Sequence, residues 1–113
     1  MIPIKNKIKI RDFKNILKES TKKTETDNKN SVSIHINKQQ QENSHFSVVV
    51  SKKALKGAVK RNRIKRIIYS QIKNIIDKID PSYNVIIIVH KYGGAEDELL
   101  KLVNKLFEKY IIN

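Results

Sequence analysis

The sequence predicts a single α+β domain, on three observations. Three stretches place apolar residues at helical spacing. Three shorter stretches alternate, or stay continuously apolar, as strands do. The chain has 113 residues, enough for one modest core and little more.

The elements follow in order. Residues 1–10, MIPIKNKIKI, interleave Ile with Lys and read as an extended, partly ordered basic arm. They hold no signal-peptide core. An amphipathic arm lying on a membrane surface remains open there. Asp12 to Lys18 reads as a short helix, with Phe13, Ile16 and Leu17 at helical spacing. Ser20 to Asn30 is polar and charged, and reads as weakly structured. In Ser31 to Asn37, Val32, Ile34 and Ile36 face one way and Ser33 and His35 the other, a half-buried strand. Lys38 to Ser44, KQQQENS, reads as a polar hairpin loop. His45 to Ser51 is the next strand, with Phe46, Val48 and Val50 on one face.

A long helix is expected from about Lys56 to Ile79, closed by Asp80-Pro81. Its isoleucines 64, 68, 72, 75 and 79 form one stripe that must lie on a sheet. Tyr83 to Val89 is apolar on both alternating faces and reads as an interior strand. Gly93-Gly94 marks a turn. Ala95 to Ile111 is a closing helix with Leu99, Leu100, Val103, Leu106, Phe107 and Tyr110 as its buried face.

Charge narrows the function. Lys and Arg total 24 against 11 Asp and Glu, giving a formal net charge of +13. That balance points to a polyanion, either nucleic acid or an anionic surface. No apolar run approaches the roughly 20 residues of a membrane span. There is no cysteine, which excludes disulfides, thiolate metal sites and a cysteine nucleophile. A reducing cytoplasm is compatible with that composition.

The cations concentrate in VSKKALKGAVKRNRIKR, residues 50–66. Lys52, Lys53, Lys56, Lys60, Arg61, Arg63, Lys65 and Arg66 fall within it and no acid does. Like charges so crowded repel one another, and an anionic partner is the simplest compensation. At about 100° per residue, Asn62, Arg66, Tyr69 and Lys73 share one narrow sector, away from the isoleucine stripe. An amide, a guanidinium, a phenol and an ammonium in line can meet phosphate, base edges and a stacked base together. Arg61 and Lys65 project near the apolar sector, so the first turns should overhang the core. The bland alternative is a solvated charged face. Arginine in the tightest part, the absence of acids, and Asn62 early in a helix where its propensity is poor weigh against it.

These residues carry a resemblance. SVVVSKKALKGAVKRNRIKR resembles the signature region of the bacterial ribonuclease P protein subunit. A strand runs into Val50-Ser51-Lys52-Lys53, then a spacer, then Ala58-Val59 and Arg61-Asn62-Arg63, followed by Lys65-Arg66. Arg11-Asp12-Phe13 resembles the family's first-helix motif, Tyr83 to His90 its last strand, and the leucine-rich end its C-terminal helix. The likeness is specific in the centre, looser elsewhere, and spans nearly the whole chain.

The resemblance implies a single-domain α+β sandwich of a small mixed sheet and three helices, residues 1–113, with a left-handed βαβ crossover. It implies an accessory subunit of an endoribonuclease, with no catalytic residue of its own. A partner RNA subunit with bound Mg²⁺ cleaves precursor tRNA at its 5′ end. RNA-subunit contacts fall by position on Lys52, Lys53, Lys56, Lys60, Arg61, Arg63 and Lys65. The cleft for the single-stranded 5′ leader falls on Phe13, Asn62, Arg66, Tyr69 and Lys73, between the first helix, the basic helix and the sheet. A cytoplasmic location is implied, with no membrane or small-molecule partner. The sequence departs from the family at Tyr69, usually arginine, at Leu17, often aromatic, and at His45 and Ser47, usually Arg and Gly. The sheet aromatic of the cleft has no clear match, Ile34 or His35 being nearest.

Other candidate sites are weaker. His35, His45 and His90 are dispersed in sequence; two histidines can serve RNA cleavage as acid and base, but strand-end or surface positions explain them. Glu96-Asp97-Glu98 suits a helix start better than a metal site. Gly93-Gly94 lacks any phosphate-loop spacing. Two further classes compete with the accessory subunit: a structural RNA-binding protein of ribosomal type, and a stand-alone nuclease. The Arg-Asn-Arg helix beside VSKK speaks against the former, and the lack of clustered carboxylates or paired histidines against the latter.

Overall fold

The computed structural model describes residues 4–112. Helix α1 spans Ile10–Glu19, followed by β1 (Thr21–Thr26), β2 (Ser31–Lys38), β3 (His45–Val50), α2 (Ala58–Ile75), β4 (Tyr83–Lys91) and α3 (Glu96–Tyr110). The strands form one mixed sheet in the order β1-β2-β4-β3. β4 runs antiparallel to β2 and parallel to β3, so α2 is the connection of a βαβ unit. Three helices on a four-stranded sheet is the α+β architecture expected.

The isoleucine stripe of α2 meets the sheet as its spacing requires. Ile64, Ile68 and Ile72 are buried against Val32 and Ile34 of β2, Phe46, Val48 and Val50 of β3, and Val85, Ile87 and Val89 of β4. Leu99, Leu102, Val103, Leu106 and Phe107 of α3 complete this core. Each fully buried aliphatic side chain there contributes about 1.5–3 kcal/mol. The helix stops short of the predicted end. It passes into a 3-10 turn at Ile76–Lys78, leaving Ile75 half-buried while Ile79 is buried beyond it and bridges to Ile112. In α3, Leu102 is buried whereas Leu100 and Tyr110 are only partly so.

Three further expectations need correction. Residues 20–30 are not weakly structured: TKKTET is the edge strand β1, paired with β2 from Thr21↔Ile36 to Thr26↔Ser31. Threonine suits a strand without marking a buried face. The strand is fixed instead by distant partners. Glu25 accepts from Lys109 Nζ at 2.7 Å, and Lys23 Nζ lies 5.7 Å from the Tyr110 ring centre. In the following turn Asp27 Oδ1 accepts the backbone N–H groups of Lys29 and Asn30 at 2.8 and 2.7 Å, which holds its carboxyl below the usual range. Asn30 Oδ1 in turn accepts the Gly93 N–H at 2.9 Å. Gly93 is required because a Cβ there would run into Lys29 Cβ.

Secondly, residues 38–44 do not join a hairpin, because β4 lies between β2 and β3. The loop is ordered by Asn84, itself 1% exposed. Gln41 Nε2 and His45 Nδ1 each donate to Asn84 Oδ1 at 3.1 Å, and Asn84 Nδ2 donates to Gln39 Oε1 at 3.3 Å. β2 also differs from a half-buried strand. Ser33, His35 and Asn37, on the face away from α2, are all buried. Helix α1 packs on β2 there, with Ile16 buried outside the main core.

The basic arm docks on the outer edge of β3. Ile8 N–H donates to Phe46 O at 2.9 Å, and Lys7 pairs with Phe46 as a parallel bridge. Buried Asn6 donates from Nδ2 to Ser44 O at 2.8 Å. Residues 1–3 of the predicted arm lie outside the described residues.

Candidate nucleic-acid interface

Helix α2 begins after Gly57, whose φ of +94° lies in the left-handed region that favours glycine. No side chain caps this end and no acid occupies its first turn. The contrast with α3 is direct, since Glu96, Asp97 and Glu98 fill the first turn of α3 and complement its dipole. Cations at the start of α2 oppose the dipole and leave that end receptive to anions.

Lys52, Lys53, Lys56 and Lys60 are exposed in the loop and first turn, and no carboxylate pairs with them among the described residues. Arg61 and Arg63 are more constrained. Arg61 is half-buried and donates from Nη1 to Leu55 O at 3.1 Å, so it holds the loop from inside. Arg63 Nε donates to Glu96 Oε1 at 2.8 Å, and this bond raises the arginine pKa. The Arg63 side chain stays 68% exposed, so solvent screens that pair and another anion can compete for the guanidinium. Lys65 is half-buried, in keeping with a helix start that overhangs the core.

Asn62, Arg66 and Lys73 stand exposed along α2, as their shared sector requires. Tyr69, in the same row, is half-buried and committed. Its Oη accepts the Val48 N–H at 3.1 Å, satisfying a donor on the open edge of β3. Lys7 Nζ lies 5.6 Å from its ring centre. Tyr69 therefore welds α2, β3 and the arm together. Beside this junction, a cleft of about 300 Å³ opens between arm, α1 and β3, lined by Lys5, Lys7, Ile8, Lys9, Asp12, Ile16 and His45. Phe13 is half-buried on α1, next to the Asp12 that lines the cleft. Among the described residues no three His, Asp or Glu side chains converge as metal ligands, and no helix is long and apolar enough to cross a membrane.

Comparison with known proteins places this geometry. The family model described as Ribonuclease P matches residues 5–111. The chain belongs to the ribonuclease P protein family. It is 43% identical over 68 residues to a ribonuclease P protein component of Fusobacterium nucleatum, a match covering 60% of each chain. It is 38% identical over 72 residues to the component of Synechocystis, covering 62% of this chain and 58% of that one. The chain thus spans about three fifths of the length of the curated relatives it matches. Among solved structures it resembles a Staphylococcus aureus RNase P protein, with a TM-score of 0.77 at 23% identity, covering 96% of this chain and 98% of that one. A Thermotoga maritima RNase P protein gives 0.70 at 19%, covering 91% and 96%. These two likenesses establish the ribonuclease P protein fold.

Within that family fold, the structure adds residues that sequence reading passed over. Lys5, Lys7 and Lys9 line the cleft because the arm turns back along β3, which composition does not encode. Two of the histidines dispersed in sequence meet in space. Ser33 Oγ lies 3.0 Å from His35 Nε2 and 2.8 Å from His90 Nε2, joining two strands through one hydroxyl. Fifty-seven residues separate Ser33 from His90, so no local spacing announces the contact. Burial lowers the pKa of both imidazoles, and Lys22 lowers both further.

Proposed function

We propose that this chain is the protein subunit of ribonuclease P and assists endonucleolytic removal of the 5′ leader from precursor tRNA in the cytoplasm. It does so by binding two RNAs. Lys52, Lys53, Lys56, Lys60, Arg61, Arg63 and Lys65 meet the backbone of the catalytic RNA subunit. Asn62 and Arg66, with Lys73, guide the leader past Tyr69 toward Phe13 and the cleft. Family membership supports this reading. The observation that carries it is the acid-free start of α2, with its exposed lysines and an exposed Asn62–Arg66 row on the helix that Tyr69 joins to the basic arm.

The division of labour follows from the residue types. The protein contributes electrostatic attraction, a fixed orientation for the leader, and screening of phosphate repulsion where the two RNAs approach. Arg61, held by Leu55 O, keeps the loop lysines in place. Mg²⁺ bound to the RNA subunit would supply the Lewis-acid chemistry of cleavage, while the residues of this chain bind and orient the RNAs. Precursor-tRNA cleavage at low Mg²⁺, assayed with the RNA subunit in the presence and absence of this chain, tests the reading. Stimulation of the RNA by the protein is expected. Cleavage by the protein alone, or no stimulation, would overturn it.

A further inference from the structure

Lys52, Lys53, Lys56, Lys60 and Arg66 have no carboxylate partner among the described residues. Arg63 differs. Its Nε donates to Glu96, which enters from the first turn of α3, 33 residues further on. With Leu55, Lys60, Ile64 and Tyr92 this pair lines a pocket of about 150 Å³. The acid is the more sunken partner, its side chain 35% exposed against 68% for the arginine. Asp97 and Glu98 share that first turn, are exposed, and pair with no cation among the described residues. All three acids suit the dipole of α3, yet Glu96 is the one that crosses to α2. We propose that Glu96 is a specificity-determining residue, an internal counterion that withholds Arg63 from arbitrary RNA and yields it to a phosphate held in place by the cognate RNA subunit. The inference rests on the RNA-subunit contacts proposed above and assigns a role to an acid outside them.

Counterion accounting gives the reason. An unpaired cation that meets RNA displaces a condensed counterion, and that release drives binding to any sequence. Arg63 gains nothing of this kind. Taking a phosphate frees the Glu96 carboxylate beside the RNA, where it repels phosphate or recruits a cation back. Net ion release through this arginine is close to zero, so a loosely held RNA leaves the pair intact. A phosphate fixed by neighbouring contacts stays within reach throughout the encounter. It offers the guanidinium fork two parallel bonds, whereas Glu96 holds Arg63 through Nε.

Arg61 shows the contrast. It too has a protein acceptor, but Leu55 O is neutral, so the charge of Arg61 stays available to any polyanion. The Arg63–Glu96 pair is also open to solvent and therefore weak enough to exchange. Specificity is a difference of affinities, and a contact closed to the wrong partner widens it.

The experiment compares the full chain binding its RNA subunit and an unrelated RNA duplex, each across a range of salt. Glu96→Gln should raise duplex affinity several-fold at low salt and steepen its salt dependence by about one ion. The double variant Arg63→Gln, Glu96→Gln keeps the net charge. It should bind the duplex as the wild type does, yet lose about tenfold in affinity for the RNA subunit. Thermal melts establish that the variants are folded. The Arg63 Nε–H resonance of the unaltered protein gives a second reading, and should stay in place when the duplex saturates it. A double variant that weakens both RNAs equally, or neither, overturns the proposal. So does an unchanged duplex salt dependence in Glu96→Gln, or a duplex that shifts the Nε–H resonance. Wild-type affinity no greater for the RNA subunit than for the duplex overturns the RNA-subunit role itself.

Discussion

Arg66 and Tyr69 sit one turn apart on α2, yet they fail in opposite ways when altered. Arg66 is exposed and has no protein partner among the described residues. Arg66→Ala should cost about 1–3 kcal/mol of RNA affinity and leave the melting temperature nearly unchanged; a large drop in melting temperature would make Arg66 structural. Tyr69→Phe keeps a ring for stacking but removes the acceptor of the Val48 N–H. It should cost about 0.5–1.5 kcal/mol of stability, read by urea unfolding, with RNA affinity little changed. Asn84 belongs with Tyr69. Asn84→Ala leaves Gln41 and His45 without their shared acceptor. A loss of about 1–3 kcal/mol is expected, together with faster amide exchange in residues 38–44.

Helix α2 carries two jobs on two faces, and substitutions should separate them. Ile68→Ala opens a hole at a fully buried position and should destabilise the fold by about 2–5 kcal/mol. Calorimetry checks this; RNA affinity measured well below the new midpoint should hold. The stripe of α2 was readable because its period is local. So were β4, apolar on both faces, and the acid-free run of cations at 50–66. β1 was hidden for the opposite reason. TKKTET has no apolar face, and its anchors, Lys109 and Tyr110, lie more than 80 residues further on. The false hairpin at 38–44 arose because strand order is a long-range property; two strands separated by seven residues usually pair, and here β4 takes the place between them. Of the interface, the cations were legible in sequence. The Arg63–Glu96 pair, the engagement of Tyr69, and the Ser33–His90 contact were not, since each joins distant segments.

Over the whole molecule, a net charge of +13 should make the proposed association with RNA strongly salt-dependent. If roughly 6–10 phosphates are engaged, affinity should fall by about 10³–10⁵ between 50 and 200 mM salt; a flat response would contradict the electrostatic reading. Acid should act on stability through the two imidazoles that share Ser33. His35 and His90 have folded pKa values below the ordinary 6.5. Between those values and 6.5 the unfolded chain binds more protons, so the stability they contribute is complete above pH 6.5 and drains away as pH falls through the folded values. Urea midpoints followed from neutral to mildly acidic pH should decline, and His35→Gln should flatten that decline. The sheet order bears finally on biogenesis. Because β3 hydrogen-bonds to β4 across the connection that includes α2, the segment FSVVV leaves the ribosome before its mate does. β1 and β2 can zip together early, whereas this sticky ribbon must wait, shielded only by the docked amino-terminal arm. The nascent polypeptide is accordingly most in need of a chaperone during the interval in which α2 is emerging.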